Sequence, residues 1–301
     1  MTYHVPVLLP ESVEALAIKP GGTYVDVTFG GGGHSQYILN KLSDGARLFG
    51  FDQDKDAEQQ AQAIANPAFT FVKANFRYLK KYLRLYGVKE VDGILADLGV
   101  SSHQFNVPER GFSTRFDGPL DMRMDPEAPL SAQQVLETYS EEELHRIFGM
   151  YGEVKNARTL ARQIVMARSS QSMETIADFK KIIASLIPRG KENKYLAQVF
   201  QALRIEVNDE LKALEEMLEQ AAAVLKPGGR LVVISYHSLE DRLVKNFIAK
   251  GKFFGEVEKD LFGNEIKPLE SVIRKPIVPS DKELQENNRS RSAKLRVAQK
   301  L

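Results

Sequence analysis

From Thr23 to about Val100, short β-rich runs alternate with polar runs of helical period, and successive βα units of this kind pack as a parallel sheet covered by helices. The strands read from the sequence are Thr23–Phe29, Arg47–Phe51, Phe69–Val72 and Val91–Ala96, with helices over His34–Leu42, Lys55–Ile64 and Arg77–Tyr86 between them. Each step takes about 20 to 25 residues, the short connection of a doubly wound sheet. The alternation then stops. From Pro108 to Asp125 the chain reads as a loop with interleaved Arg and Asp, and almost pure helical signal follows. Ser140 with Glu143 and Thr175 with Asp178 have capping-box spacing, and Val154–Arg168 and Tyr195–Ile205 are amphipathic at helical period. Strand-type sequence returns at Gly229–Tyr236, behind a helix over Asp209–Leu225 and the breaker Lys226-Pro227-Gly228-Gly229. A last long helix, Leu239–Ala249, opens at the cap pattern Ser238-Leu239-Glu240-Asp241, and Glu270–Lys275 and Ala293–Ala298 are the final β-like runs. The expected fold is α/β, with residues 1–104 and 206–301 forming one discontinuous sheet domain and 105–205 an inserted all-helical domain.

Composition narrows the function classes. The 301 residues are 43% hydrophobic and 27% charged, which is ordinary for a globular chain and argues against a disordered or fibrous one. There is no cysteine, which removes disulfides, thiolate zinc sites, iron–sulfur ligation and cysteine nucleophiles, and points to a reducing compartment. No apolar stretch approaches the ~18 residues of a membrane span, and the opening residues carry neither a basic n-region nor an apolar h-region. A cytoplasmic protein without a membrane partner is expected. The net charge is only +1, so contact with nucleic acid has to come from local basic patches.

The sharpest local signal is Val25-Asp26-Val27-Thr28-Phe29-Gly30-Gly31-Gly32-Gly33-His34-Ser35, a β-run that ends in four glycines and opens a helix. Such a turn lets the backbone adopt positive φ and lets a ligand approach the main chain, with the first amides of the helix facing it. Asp52 follows at the end of the next strand, 22 residues after Gly30, where a carboxylate can accept both hydroxyls of a ribose. An adenosine-containing ligand at the carboxyl ends of the strands is the expectation. The dinucleotide fingerprint fails, because the third glycine position counted from Gly30 is Ser35, and no Gly-Lys-Ser/Thr follows for a P-loop. S-adenosylmethionine fits better: it has a ribose for Asp52, no pyrophosphate, and an amino-acid end for the glycine turn and acids such as Asp26. Asn75-Phe76 ends the third strand, where Phe76 is either an adenine neighbour or a core aromatic. Asp97 ends the fourth, either on the rim of the reacting group or as a helix cap.

The set VDVTFGGGGHS, FDQD, DGILADLGVSSHQ, ERGFS with DGPLDMRMD, RIEVNDEL, LKPGGRLVVISYHSLEDR and NRSRSAKLR, in that order, resembles the RsmH (MraW) family from residue 4 to near residue 297. The resemblance implies a Rossmann-like S-adenosylmethionine-dependent methyltransferase sheet with a helical insertion, acting on the exocyclic N4 amine of a cytidine in small-subunit ribosomal RNA. It implies cofactor contacts at Gly32, Gly33 and His34 on the methionine side, Asp52 on the ribose, Phe76 beside adenine, and Asp97 and Gln104 closing the pocket. Gly31 stands where some relatives have a larger residue.

Methyl transfer is an in-line displacement, so holding the amine, methyl and sulfur collinear is the main task. Asp97, or the carbonyls of Leu98 and Gly99, is the candidate acceptor for an amine proton. The Asp/Asn-Pro-Pro-aromatic motif of many amino-methyltransferases is absent at this strand end. His237 lies at another strand end, either as a substrate contact or hydrogen-bonded to backbone. Basic stripes offer phosphate contacts: Arg77, Lys80, Lys81 and Arg84 on one helix, Lys155, Arg158 and Arg162 on the insertion, and Arg289, Arg291, Lys294, Arg296 and Lys300 near the end. Insertion and tail are expected to flank the cleft and grip folded RNA, from which the cytidine is swung out. The chain is read as a monomer or homodimer. The competing readings are a DNA N4-cytosine methyltransferase, a nicotinamide-dependent oxidoreductase on a similar sheet, and a non-catalytic ribosome-assembly factor.

Overall fold

The computed structural model of the protein describes residues 6–301. The first five residues of the opening segment read for targeting signals, with the start of the family motif at His4, lie outside the described residues. The chain begins with α1 (Leu9–Ala15) and then alternates β1 (Thr23–Asp26), α2 (Gly33–Leu39), β2 (Arg47–Asp52), α3 (Lys55–Gln62), β3 (Phe69–Lys73), α4 (Leu79–Leu85) and β4 (Val91–Asp97). These are the seven elements read from the sequence, most of them ending one to three residues earlier or later. β1 and α2 each end three residues earlier than read, at Asp26 and Leu39, although the Val27 and Phe29 amides still donate to the Leu95 and Phe51 carbonyls of the neighbouring strands.

Six helices follow: α5 (Ser102–Asn106), α6 (Ala132–Thr138), α7 (Glu141–Met150), α8 (Ala157–Ala167), α9 (Ile176–Ile183) and α10 (Glu192–Asn208). The chain returns through α11 (Glu210–Val224), β5 (Leu225–Ser235) and α12 (Ser238–Lys250). A small hairpin, β6 (Glu258–Lys259) with β7 (Glu265–Ile266), precedes β8 (Leu269–Ser271), α13 (Asp281–Glu286) and β9 (Lys294–Lys300).

Two compact units result, one ending at Gly99 and resuming at Leu211, the other spanning Val100–Glu210. In the first, a seven-stranded sheet has the order β3-β2-β1-β4-β5-β9-β8. Strands β1 to β5 are parallel, while β9 runs antiparallel to both β5 and β8. The order 3-2-1-4-5 is Rossmann-like. Its switch point lies between β1 and β4, the place at which sheets of this topology bind ligands beyond the carboxyl ends of their strands. Every residue of β1 is buried, as expected of a parallel strand covered on both faces. Gly93 in β4 is a packing glycine, since a Cβ there would stand 2.9 Å from the Tyr24 ring. Lys226-Pro227-Gly228-Gly229, read as a helix-to-strand breaker, lies inside β5, where the register slips between Val91 and Gly93 and a bulge absorbs the proline.

The second unit has its own core, in which Leu144, Phe148, Leu160, Ile164, Phe179, Val199 and Leu203 are buried together. Ser140 and Glu143 form the reciprocal capping box read for α7. Thr175 accepts from the Asp178 amide, but the Asp178 carboxylate takes the Thr175 hydroxyl rather than an amide. The Pro108–Asp125 stretch is tightly fastened. Arg110 donates to the carbonyls of Arg123 and Met124, and Asn208 both donates to the Met122 carbonyl and accepts from the Met124 amide.

Candidate active site

The glycine bend carries the site in the sheet unit. Gly30 and Gly32 have φ of +53° and +77°, the left-handed region that side chains disfavour. A Cβ on Gly32 would stand 2.8 Å from the Phe29 ring, and one on Gly33 would drive into Pro6 at 2.3 Å. Gly32 is the N-cap of α2, and no side chain caps that helix.

The bend lies directly against the acid predicted to serve it. The Gly30 amide donates to Asp52 Oδ2 at 2.8 Å, and the Asp54 amide to Oδ1 at 2.8 Å. Each carboxylate oxygen therefore keeps one acceptor site, and the side chain is locked in orientation. Burial pushes the Asp52 carboxyl up to about 6, against the lowering effect of these two amides. A buried carboxylate held short of its full complement of donors is suited to a diol. Asn75 Nδ2 donates to Gln53 Oε1 at 2.9 Å, which ties the end of β3 to the end of β2. The Asn75 side chain also caps a short 3₁₀ turn, Phe76–Tyr78, and Phe76 is partly buried against the central core.

A second cluster forms at the ends of β1, β4 and β5. The Tyr236 hydroxyl donates to Asp97 Oδ1 at 2.6 Å, and the Asp97 amide donates to the Thr28 hydroxyl at 2.6 Å. His34 Nδ1 lies 3.7 Å from Asp97 Oδ2, and its Nε2 lies 3.2 Å from the Val7 carbonyl. Burial holds the His34 imidazole below its usual range, so this approach is not a charged pair. Burial likewise lifts Asp97 to about 7, opposed by the Tyr236 hydroxyl and assisted by the nearby Glu240 carboxylate. Tyr236 itself is raised well above the usual phenol range by burial and by Asp97, so it remains a donor.

Asp26 is not positioned as the sequence reading had it. Its oxygens accept from Ser35 Oγ at 2.7 Å and from the Thr28 amide at 3.1 Å, so it braces the bend from within. It is fully buried, whereas Asp97 keeps 22% of its side chain exposed; of the two acids only Asp97 is within a ligand's reach. His237 takes the bland role: it is the N-cap of α12, its Nδ1 accepting the Glu240 amide at 3.4 Å. The cap read at Ser238 is thus displaced by one residue. Glu240 in turn accepts from the Tyr236 amide at 2.9 Å.

Gly32, Gly33, His34, Asp52, Phe76 and Asp97 all belong to this sheet unit. Gln104 belongs to the other unit, where it is buried and its Oε1 accepts the Ser101 amide in the capping box of α5. Tyr236, Thr28 and Glu240 were not singled out from sequence. Only the position of Tyr236 at the end of a strand, beside the residue that was chosen, offered a signal.

The basic residues separate into two groups. Lys155, Arg158 and Arg162 are exposed, with the two arginines one turn apart on α8. The terminal segment is not a free tail. Arg296 makes a paired contact with Asp241 at 2.6 and 3.1 Å, Lys294 lies 3.3 Å from the same carboxylate, and both residues sit on β9 within the sheet. Arg289 is partly buried and Arg291 exposed in the 3₁₀ turn before it. Among the described residues no helix is long and apolar enough to cross a membrane.

A parallel sheet of this order, with a glycine bend and an acid at the ends of adjacent strands, defines the Rossmann-like class of α/β protein. Within that class, the chain belongs to the MraW methylase family, which matches it over residues 1–301. It is 60% identical to the ribosomal RNA small subunit methyltransferase H of Bacteroides fragilis over 299 residues, 99% of this chain and 98% of the relative. It is 59% identical to the protein of that name from Cytophaga hutchinsonii over 298 residues, 99% of each. The corresponding protein of Flavobacterium johnsoniae is 56% identical over 301 residues, 100% of this chain and 99% of that one.

Proposed function

We propose that this chain transfers a methyl group from S-adenosylmethionine to the exocyclic N4 amine of a cytidine in small-subunit ribosomal RNA. The observation that carries the reading is the Gly30 amide bonded to the Asp52 carboxylate at the switch point, in a chain that a methylase family matches from end to end. Full-length relatives at 56 to 60% identity named for small-subunit rRNA support the substrate class.

The residues present fit the cofactor. When bound, it supplies an electrophilic methyl group on a sulfonium. Asp52 accepts the two ribose hydroxyls on the acceptor sites that Gly30 and Asp54 leave open. Phe76 lies against the adenine. The uncapped first turn of α2, from Gly32 through Gly33 to His34, offers its main-chain amides to the carboxylate of the methionine end. The His34 ring stays neutral, engaged between Val7 and Asp97. Asp97, oriented by Tyr236, takes a proton from the cytidine amine as the new bond forms and so localises a lone pair otherwise delocalised into the ring.

Incubation of the protein with labelled cofactor and small subunits lacking the modification tests the reading. Label should appear on a single cytidine of the rRNA, and label in DNA or in no nucleic acid would overturn it. Cofactor affinity should also depend on pH with a defined sign. Only the ionised Asp52 accepts both hydroxyls, so the dissociation constant should be flat above about pH 7. Below about 6 it should rise roughly tenfold per unit, 1.4 kcal/mol each. Calorimetric titrations from pH 5 to 8 that gave one constant throughout would remove Asp52 from the ribose.

For the RNA, Lys155, Arg158 and Arg162 offer an exposed set of phosphate contacts on the inserted unit. The triple charge reversal to glutamate should weaken binding of the small subunit by at least about tenfold. It should also flatten the salt dependence by roughly 0.7 to 0.9 for each phosphate no longer neutralised. Unchanged affinity and slope would take that role away.

A further inference from the structure

One basic stripe has no part in this reading. From Asn75 through Lys89 the chain holds five cations and no acid. The first, Arg77, is neutralised by Glu216 at 2.6 Å. The other four, Lys80, Lys81, Arg84 and Lys89, make no ion pair with any described residue, and Lys81 Nζ lies 5.9 Å from the ring centres of both Tyr78 and Tyr82. Exposed apolar surface is interleaved with them: Tyr78 is 50% exposed and Leu85 71%. Lys80, Arg84 and Lys89 line one open groove with Gly87, Val88 and Ala223.

The surface is fixed rather than loose. Gln220 on α11 accepts the Lys80 amide at 2.9 Å and donates to the Arg77 carbonyl, so the start of α4 and the 3₁₀ turn before it are clamped together. Leu79 and Leu83 anchor the opposite face of α4 in the core. The groove adjoins the start of β4, whose other end is Asp97. Seven residues at about 3.3 Å each put roughly 20 Å between the groove and the reacting end.

We infer that the outer face of α4 and the loop after it, with Lys80, Lys81, Arg84 and Lys89, is a second docking surface for the substrate RNA, holding its phosphate backbone away from the reaction. Four unneutralised cations on a rigid face complement a polyanion, and the half-exposed Tyr78 ring beside Lys81 gives an unpaired base something to stack on. The inference rests on the rRNA reading above and adds a contact made without regard to sequence.

The test compares the full-length wild-type chain with K80E/R84E/K89E and, as a milder variant that keeps the fold under least strain, K80Q/R84Q/K89Q. Two probes are used: a protein-free small-subunit rRNA transcript and the assembled small subunit. The expected result is a loss of transcript affinity of at least about tenfold for the glutamate variant and less for the glutamine one. The slope of log affinity against log salt should fall by about 2 to 3, as three phosphates at 0.7 to 0.9 each require. Unchanged transcript affinity and slope in both variants would overturn the proposal. So would lost affinity for the subunit with none lost for the transcript, which would assign the face to a ribosomal protein. If the wild type binds transcript through this face yet transfers no methyl group, the functional reading fails and the surface stands.

Discussion

Replacing Asp52 by alanine is expected to raise the dissociation constant for S-adenosylmethionine by two orders of magnitude or more. Two hydrogen bonds from ribose hydroxyls to one ionised carboxylate contribute about 1.5 kcal/mol each at the low end, or about 3 kcal/mol together, and each 1.4 kcal/mol is tenfold. The same carboxylate also orders the bend by accepting the Gly30 and Asp54 amides, so alanine removes the partner of both and should lower the melting temperature as well. Asparagine separates the two effects. It retains one acceptor oxygen and the side-chain shape, so one of the two backbone amides keeps its partner and part of the stability should return while affinity stays at least about tenfold weak. Isothermal titration with the cofactor and a melting curve for each variant decide the matter. Wild-type affinity in the alanine variant would leave the glycine bend without its nucleoside.

Removing the Asp97 carboxylate is expected to have the other large effect, and on turnover. A positioned proton acceptor contributes typically 10²- to 10⁴-fold, so kcat for Asp97→Asn should fall by at least about 100-fold. Asparagine is the informative variant because its carbonyl still accepts the Tyr236 hydroxyl. Alanine would leave that buried donor without a partner, at about 1 to 3 kcal/mol of stability. Burial holds the Asp97 proton up to about 7, so wild-type kcat should rise from pH 6 to 8 as the acid ionises, and the rise should vanish in the variant. Single-turnover rates and cofactor affinity measured on the same preparation keep chemistry apart from binding. Unimpaired turnover would remove Asp97 from the reaction.

Much of the site was legible because it sits at points where sequence has little freedom. Four glycines between a buried strand and a helix answer to a left-handed bend at Gly30 and Gly32, and to Phe29 and Pro6 crowding the positions a Cβ would take. Asp52 was placed by its distance along the chain, and that works because one strand–helix–strand step has nearly fixed length in a parallel sheet. Asp26 misled because its position beside the bend says nothing of which way the carboxylate turns. It faces Ser35 and Thr28 inside the protein rather than the crevice. The basic stripes misled in the same way, since Arg77 and Arg296 read as free cations until Glu216 and Asp241 are seen beside them.

The order of strands and helices along the chain, the glycine bend, the acid paired with it and the family motifs were determined by the sequence alone. They depend on spacing along the chain and on periodic burial, both of which are local. The tertiary structure decided what is joined across the sheet. Tyr236 reaches Asp97 from 139 residues away, Thr28 receives the Asp97 amide from 69, and the Pro108–Asp125 segment is ordered by Asn208. Periodicity states which face of an element is buried and not which element will face it. That pairing is set only when β4 and β5 close beside β1, and with it the environment that lifts Asp97 and keeps Tyr236 a donor.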